Sequence, residues 1–293
     1  MIKIGLGVMG SFAAGLILLL LIGSSPRLKD MSASRSKVQT SGLPEYGIEV
    51  IGPAEATFAT LMSKRLQKVG GTDAETLKSS SIFVINNSQQ AIAGLSVKWE
   101  LFQSDGRSII HRVTHMAGPK VVSDAGSAYF PAQVARGDRQ LISLLDVFDD
   151  SNRNFRVNMG GGNVDKARQL AESVKVMVSV DTILFTDGTF VGPDTGKFFA
   201  SLEAELRGIN EVFAEMAQAL KGDAGAMKHI EALANDERRT VQMRLGENSG
   251  NSQTVKGQYA RILLGMRKKL GDEVTLERIN AELSKPRINL RKL

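Results

Sequence analysis

From Ser81 onward the hydrophobic positions recur at every second residue. Ile82-Phe83-Val84-Ile85 reads as a short buried strand, and Asn86 to Gln90 as the turn after it. In the next strand Ala93, Leu95, Val97, Trp99 and Leu101 point one way, with Ser96, Lys98 and Glu100 the other. Ser104-Asp105-Gly106 turns the chain, and Ser108 to Thr114 returns. Leu141 to Val147 forms a further strand. Lys175 to Phe185 sets Val176, Val178 and Val180 against Lys175, Ser179 and Asp181, then turns at Asp187-Gly188 into Thr189-Phe190-Val191. Upstream, Ile48 to Ile51 is a short strand stopped by Gly52-Pro53. A helix is expected over 54–69, from Phe58, Leu61, Met62, Leu66 and Val69, ending at Gly70-Gly71. Short strands with turns at this spacing predict an antiparallel sandwich.

Past Pro193 the period becomes helical. Phe198, Leu202, Leu206, Ile209, Phe213, Met216 and Leu220 lie on one stripe of a long amphipathic helix, with Asp194 or Thr195 as its natural N-cap. A second helix is predicted over 224–245, a polar loop over 246–252, a third helix over 254–270 and a fourth over 272–283, before Pro286. Such stripes are expected to pack on each other or on the sandwich.

At the other end, Ile4 to Ile22 is a 19-residue stretch without charge. As a helix it would be about 28 Å long, against a bilayer core of about 30 Å. Residues 1–23 therefore read as a signal peptide or a membrane anchor. Lys3 suits a signal, whereas the length of the stretch and the absence of a clean cleavage site suit an anchor. Arg27, Lys29, Arg35 and Lys37 just after the span favour a cytoplasmic body under the positive-inside rule. A cysteine-free, β-rich body favours export, which is the preferred reading, with orientation left open. Ser24 to Leu43 is rich in Ser, Gly and basic residues without periodicity. The expected organisation is α+β: residues 1–23 as signal or anchor, 24–45 as a flexible tether, 46–193 as a sandwich domain and 194–293 as a helical region.

Composition narrows the chemistry. With no cysteine there is no disulfide framework, no Cys-ligated zinc or iron–sulfur cluster and no thiol nucleophile. The net charge of +6 is local: residues 1–255 hold 27 basic and 27 acidic side chains, and residues 256–293 hold 10 and 4. Arg267-Lys268-Lys269 and Arg287 to Lys292 carry much of it. This segment could meet anionic lipid or nucleic acid. It lacks interleaved aromatics for stacking on bases, so a solvated face is the default and nucleic acid is not expected.

Several short motifs have chemical readings that the surrounding residues do not sustain. Gly5-Leu6-Gly7-Val8-Met9-Gly10 resembles the opening of an NAD(P)-dependent hydroxyacid dehydrogenase. The residues that would form that family's second strand and ribose reader, Gly23 to Asp30, have no strand pattern. Ser34-Arg35-Ser36-Lys37 fits the S-x-x-K of serine acyl-enzymes but has no partner motif. His111 and His115 are four apart on a strand, which separates them by about 13 Å, too far to share a metal. His229 is alone on a helix. Asp181, Asp187 and Asp194 crowd a hairpin, and Asp146, Asp149 and Asp150 an acidic turn. Neither set has the alternating spacing of a calcium loop, and turns favour Asp for conformational reasons. Met159-Gly160-Gly161-Gly162-Asn163 before a helix over 164–173 could offer backbone N–H groups to an anion, but lacks the Lys-Ser/Thr of a P-loop. No catalytic, metal or cofactor residue is assigned.

Two resemblances complete the reading. Ile82-Phe83-Val84-Ile85-Asn86-Asn87-Ser88, then Ile92, then Leu101-Phe102-Gln103-Ser104-Asp105-Gly106 resembles the opening hairpin of bacterial immunoglobulin-like domains of the FxLYD kind. It covers about 30 residues, and the family's Tyr is not matched. Asp187-Gly188-Thr189-Phe190-Val191-Gly192-Pro193-Asp194 is similar to a segment of uncharacterised exported bacterial proteins. These resemblances imply an envelope-associated immunoglobulin-like sandwich used for binding or architecture. The expected function is thus a non-catalytic cell-envelope protein, membrane-anchored through residues 4–22 or secreted, with an unknown protein partner and no assigned small molecule. The alternatives are a membrane-tethered adaptor with a basic tail, and a hydrolase-type enzyme whose site the motifs do not reveal.

Overall fold

The computed structural model describes residues 37–66, 72–116, 132–145, 147–149, 155–157, 162–235, 252–284 and 289–293. The apolar stretch 4–22, the G-x-G-x-x-G motif, Ser34, Asp146, Asp150 and residues 159–161 lie outside them.

Strand β1 (Val38–Ser41) is followed by a 3₁₀ turn at Pro44–Tyr46 and by β2 (Ile48–Ile51), after which come helices α1 (Ala56–Leu66) and α2 (Thr72–Ser80). Next are β3 (Ser81–Asn86), β4 (Ile92–Phe102), β5 (Ser108–Met116), β6 (Arg139–Ser143), β7 (Val147–Asp149) and β8 (Phe155–Val157). Helix α3 (Gly162–Glu172) leads into β9 (Lys175–Phe185) and β10 (Thr189–Val191). The chain then runs through α4 (Phe198–Leu220), α5 (Ala224–Asn235), α6 (Ser252–Leu270) and α7 (Asp272–Ser284) to β11 (Arg291–Lys292).

Among the described residues these strands make a six-stranded sheet in the order β11-β10-β9-β4-β5, with β1 also beside β9, and a three-stranded sheet β2-β3-β6. Strands β7 and β8 pair as a hairpin. Ile82 and Val84 of the smaller sheet join Val97, Trp99, Leu101, Val176 and Val178 of the larger one in a single hydrophobic cluster. The other face of the smaller sheet presents Ile51 and Phe83, with Leu145 just beyond β6, to Phe58 and Met62 of α1 and Leu77 of α2. Covered on both faces, β3 is apolar at consecutive positions, whereas β9 alternates over its first half.

Four expectations need correction. The resemblance made β3 and β4 a hairpin; instead β3 pairs with β2 and β6, and β4 with β5 and β9. The chain changes sheets at 87–91, where the buried Asn86 amide donates to the carbonyls of Gln90, Val134 and Ala135. The expected tether stops short of residue 45, because Val38–Ser41 pairs in parallel with Val176–Ser179 and Val38 is buried. Ala93 does not share the face of Leu95 and Trp99. The pairing Ile92↔Phe185, Gly94↔Leu184 leaves Ala93 extra, and this bulge turns it outward to pack with Leu184 and Phe190. The strand expected over 141–147 is two elements, β6 ending at Ser143, whose hydroxyl accepts from Leu145 N at 3.2 Å.

The helical stripes pack on one another. Ile209, Val212, Phe213 and Met216 of α4 meet Ile230 and Leu233 of α5, Val255 and Leu263 of α6, and Ile279 of α7. The second helix is described only to Asn235, short of the expected 245. No helix among the described residues is long and apolar enough to cross a membrane.

Candidate functional site at the sheet–helix junction

The richest polar arrangement lies where β9, β10, the start of α4 and the strand β11 meet. It begins with a second bulge. Ser96 pairs with Thr182 and Val97 with Val180, so Asp181 is the extra residue on β9, and its side chain is re-aimed toward the turn before α4. There Asp181 Oδ1 accepts from Thr195 N at 3.0 Å and Thr195 Oγ1 at 2.6 Å, and Oδ2 from Gly196 N at 2.9 Å. Arg112 of β5 donates to the same Thr195 hydroxyl at 3.2 Å. Gly192, at φ 102°, passes so close that a Cβ would sit 2.7 Å from the Asp181 carbonyl oxygen.

Asp194 takes over the cap of α4. The helix starts at Phe198, behind left-handed Asp194 (φ 54°) and Lys197 (φ 57°), so neither Asp194 nor Thr195 stands at the N-cap position itself. Asp194 Oδ1 nevertheless accepts from Phe198 N at 2.6 Å, Phe199 N at 3.3 Å and Thr182 Oγ1 at 3.2 Å. Its Oδ2 meets Lys292 Nζ at 3.1 Å. Asp187 closes the β9–β10 turn, taking Thr189 N at 2.9 Å and Thr189 Oγ1 at 3.0 Å, and it pairs with Arg291 Nη2 at 3.0 Å. Burial acts to raise the Asp187 carboxyl. The Thr189 hydrogen bonds, one from Gln90 and the Arg291 charge outweigh it and hold the group below its ordinary value.

The three aspartates weighed as a calcium hairpin are therefore drawn into one junction, with their oxygens directed at N–H, O–H and cationic partners. Such an arrangement fastens elements; a metal cage would turn those oxygens on a common point. Among the described residues no group of three or more His, Asp or Glu is placed to hold a metal ion. Of the acidic turn, Asp149 lies in β7.

The histidines are apart. His111 sits opposite Trp99 and bonds Gln169 Oε1 of α3 at 2.8 Å. His115 sits opposite Leu95, and burial pushes its imidazole below the ordinary value. His229 of α5 pairs with Glu215 of α4. Gly162 and Asn163 open α3, with Asn163 buried. Between α4 and α6, burial raises the Glu205 carboxyl, and burial followed by the Glu205 charge pushes the Tyr259 hydroxyl up to about 12. In the core, Trp99 Nε1 and Ser81 Oγ are buried without a partner.

Four cations of the basic segment are paired with carboxylates. Lys256 pairs with Glu211, Arg267 with Asp272 at 2.7 Å, Arg291 with Asp187 and Lys292 with Asp194. Lys268 and Lys269 are exposed. Sequence reasoning named Thr195 only as a cap and missed its bonds to Asp181 and the structural use of Arg291 and Lys292. The Asp187-x-Thr189 spacing is an Asx-turn signal, but nothing local couples it to a residue 104 positions away. No protein-family model, no curated protein and no solved structure matches this chain.

Proposed function

We propose that the chain is a non-catalytic protein of the cell envelope, anchored or secreted through residues 1–23, whose body is an immunoglobulin-like sandwich used as a binding or structural module. The observation that carries the reading is strand order. Immunoglobulin sheets run A-B-E-D and, in variable-type domains, G-F-C-C′. Here β2-β3-β6 follow the order A-B-E, and β10-β9-β4-β5 the order G-F-C-C′. Trp99, fully buried on β4, has the place of the core tryptophan on strand C. The departures include the parallel partner β1, helices α1 and α2 between β2 and β3, helix α3 before β9, and the absence of any cysteine for the inter-sheet bridge. The 19 uncharged residues from Ile4 to Ile22 support the compartment.

The adaptor reading draws less support, since the pairing of Lys256, Arg267, Arg291 and Lys292 leaves fewer cations for an anionic surface. Cell fractionation with N-terminal sequencing of the mature protein tests the proposal. The expected result is a membrane or exported fraction; an entirely soluble cytoplasmic protein with an intact N-terminus would overturn it.

A further inference from the structure

Strand β11 is held by very little chain. Arg291 N donates to Gly188 O and Leu293 N to Phe190 O, each at 3.0 Å, in a parallel pairing of Thr189↔Arg291 and Phe190↔Lys292. Leu290 packs on the cluster formed by Ala93, Leu184, Phe190 and Leu202, while Leu293 is 72% exposed. The two cations lie half-exposed over Asp187 and Asp194. The Arg291–Asp187 pair is open to water on both sides and holds the strand weakly, while Lys292 reaches a carboxylate only 5% exposed.

The surface beneath is built without the strand's help. Asp187 is fixed by Thr189 N and Oγ1, Asp194 by Phe198 N, and Phe190 by edge-to-face contacts with Phe198 and Phe199 at 5.6 and 5.0 Å. An ordered sheet edge, two oriented carboxylates and an apolar seat form a receptor for an added strand, with main-chain bonds for affinity and side chains for selection.

We propose that the β10 edge, with Asp187 and Asp194, is a docking site for an extended segment of another polypeptide bearing two successive cations between leucines, and that residues 289–293 close it in cis. The charges select the segment: an incoming acidic strand would face two carboxylates. Closure in cis sets the threshold, because a tethered strand competes at high effective concentration and yields only to a partner with further contacts. The inference rests on the strand pairing and not on the envelope reading, so either stands if the other fails.

The probe is a fluorescent peptide with the sequence of residues 286–293, followed by anisotropy. A chain lacking residues 289–293 is expected to bind it, and the full chain to bind at least ~10-fold more weakly. In the shortened chain Asp187→Asn keeps the turn acceptor and is expected to lower affinity by up to ~5-fold, the range of an exposed ion pair. A peptide carrying Arg291→Glu and Lys292→Glu is expected not to bind. Equal binding by both chains, equal binding of the charge-reversed peptide, or no binding to a folded shortened chain would each overturn the proposal. Should the shortened chain not fold, hydrogen exchange on the full chain decides. The Arg291 and Leu293 amides are expected to exchange at least ~100-fold faster than those shared by β4 and β9, by local opening. Equal protection would overturn it.

Discussion

Asp194 accepts four hydrogen bonds with two oxygens: from the amides of Phe198 and Phe199, the Thr182 hydroxyl and Lys292. Its side chain is only 5% exposed, so losing it strands buried donors rather than returning them to water. Asp194→Ala is expected to cost about 1–3 kcal/mol in urea unfolding, the range of a lost cap plus unsatisfied groups. Asp194→Asn keeps an oxygen for Phe198 N but sets an amide N–H where Oδ2 accepted from Lys292, so it loses that ion pair, keeps the cap and should cost less than the alanine change. If both substitutions cost the same, the charge rather than the cap holds the junction. The residue was legible in the sequence as a cap because an Asp precedes an apolar stripe. Its distance from the helix start was not, because Asp194 itself and Lys197 are left-handed, and neither is a glycine.

Helices α4 and α6 meet across a pair that weakens them near neutrality. Burial holds the Glu205 carboxyl above its ordinary value of 4.5, so the folded chain binds that proton more tightly than the unfolded chain. The resulting stability is fully present below the unfolded value and is lost as the pH rises through the folded one. Glu205→Gln is therefore expected to raise the urea midpoint at neutral pH and to flatten its dependence from mildly acidic to neutral conditions. The variant should also bring the Tyr259 hydroxyl down from about 12, though not to its ordinary value, since burial acts on it first. A midpoint unchanged at neutral pH would sink the idea. Elements of this kind announce themselves: the α4 stripe, the alternation of β9 and the turn into β10 were each readable from local period. By contrast, β1 is four residues with one buried valine and a partner far along the chain, α2 reads Thr-Asp-Ala-Glu-Thr-Leu-Lys-Ser-Ser with little apolar pattern, and β11 exists only through its partners. The bulges at Ala93 and Asp181 are a property of pairing rather than of either strand, so period two ran straight through both.

At the scale of the whole chain, two cores must unfold together or apart. The sheets share one cluster and the four C-terminal helices another, and they are joined where Phe190 of β10 packs with Leu202, Phe198 and Phe199 of α4. Phe190 is 1% exposed, so Phe190→Ala is expected to remove about 3–5 kcal/mol. The same change at Phe58, also buried but packed against Phe83 on the outer face of the smaller sheet, should cost a similar amount. The two differ in what they disconnect. Trp99, the chain's one tryptophan, reports on the core between the sheets through its fluorescence, while far-ultraviolet circular dichroism is dominated by the helices. If Phe190 is the bridge, the two signals should separate in urea for Phe190→Ala and stay coincident for Phe58→Ala, since cooperativity fails where the coupling contact is removed. Coincident transitions in both variants would place the coupling elsewhere, with the Asp181–Thr195 and Asp194–Phe198 bonds as the remaining ties between β9 and α4.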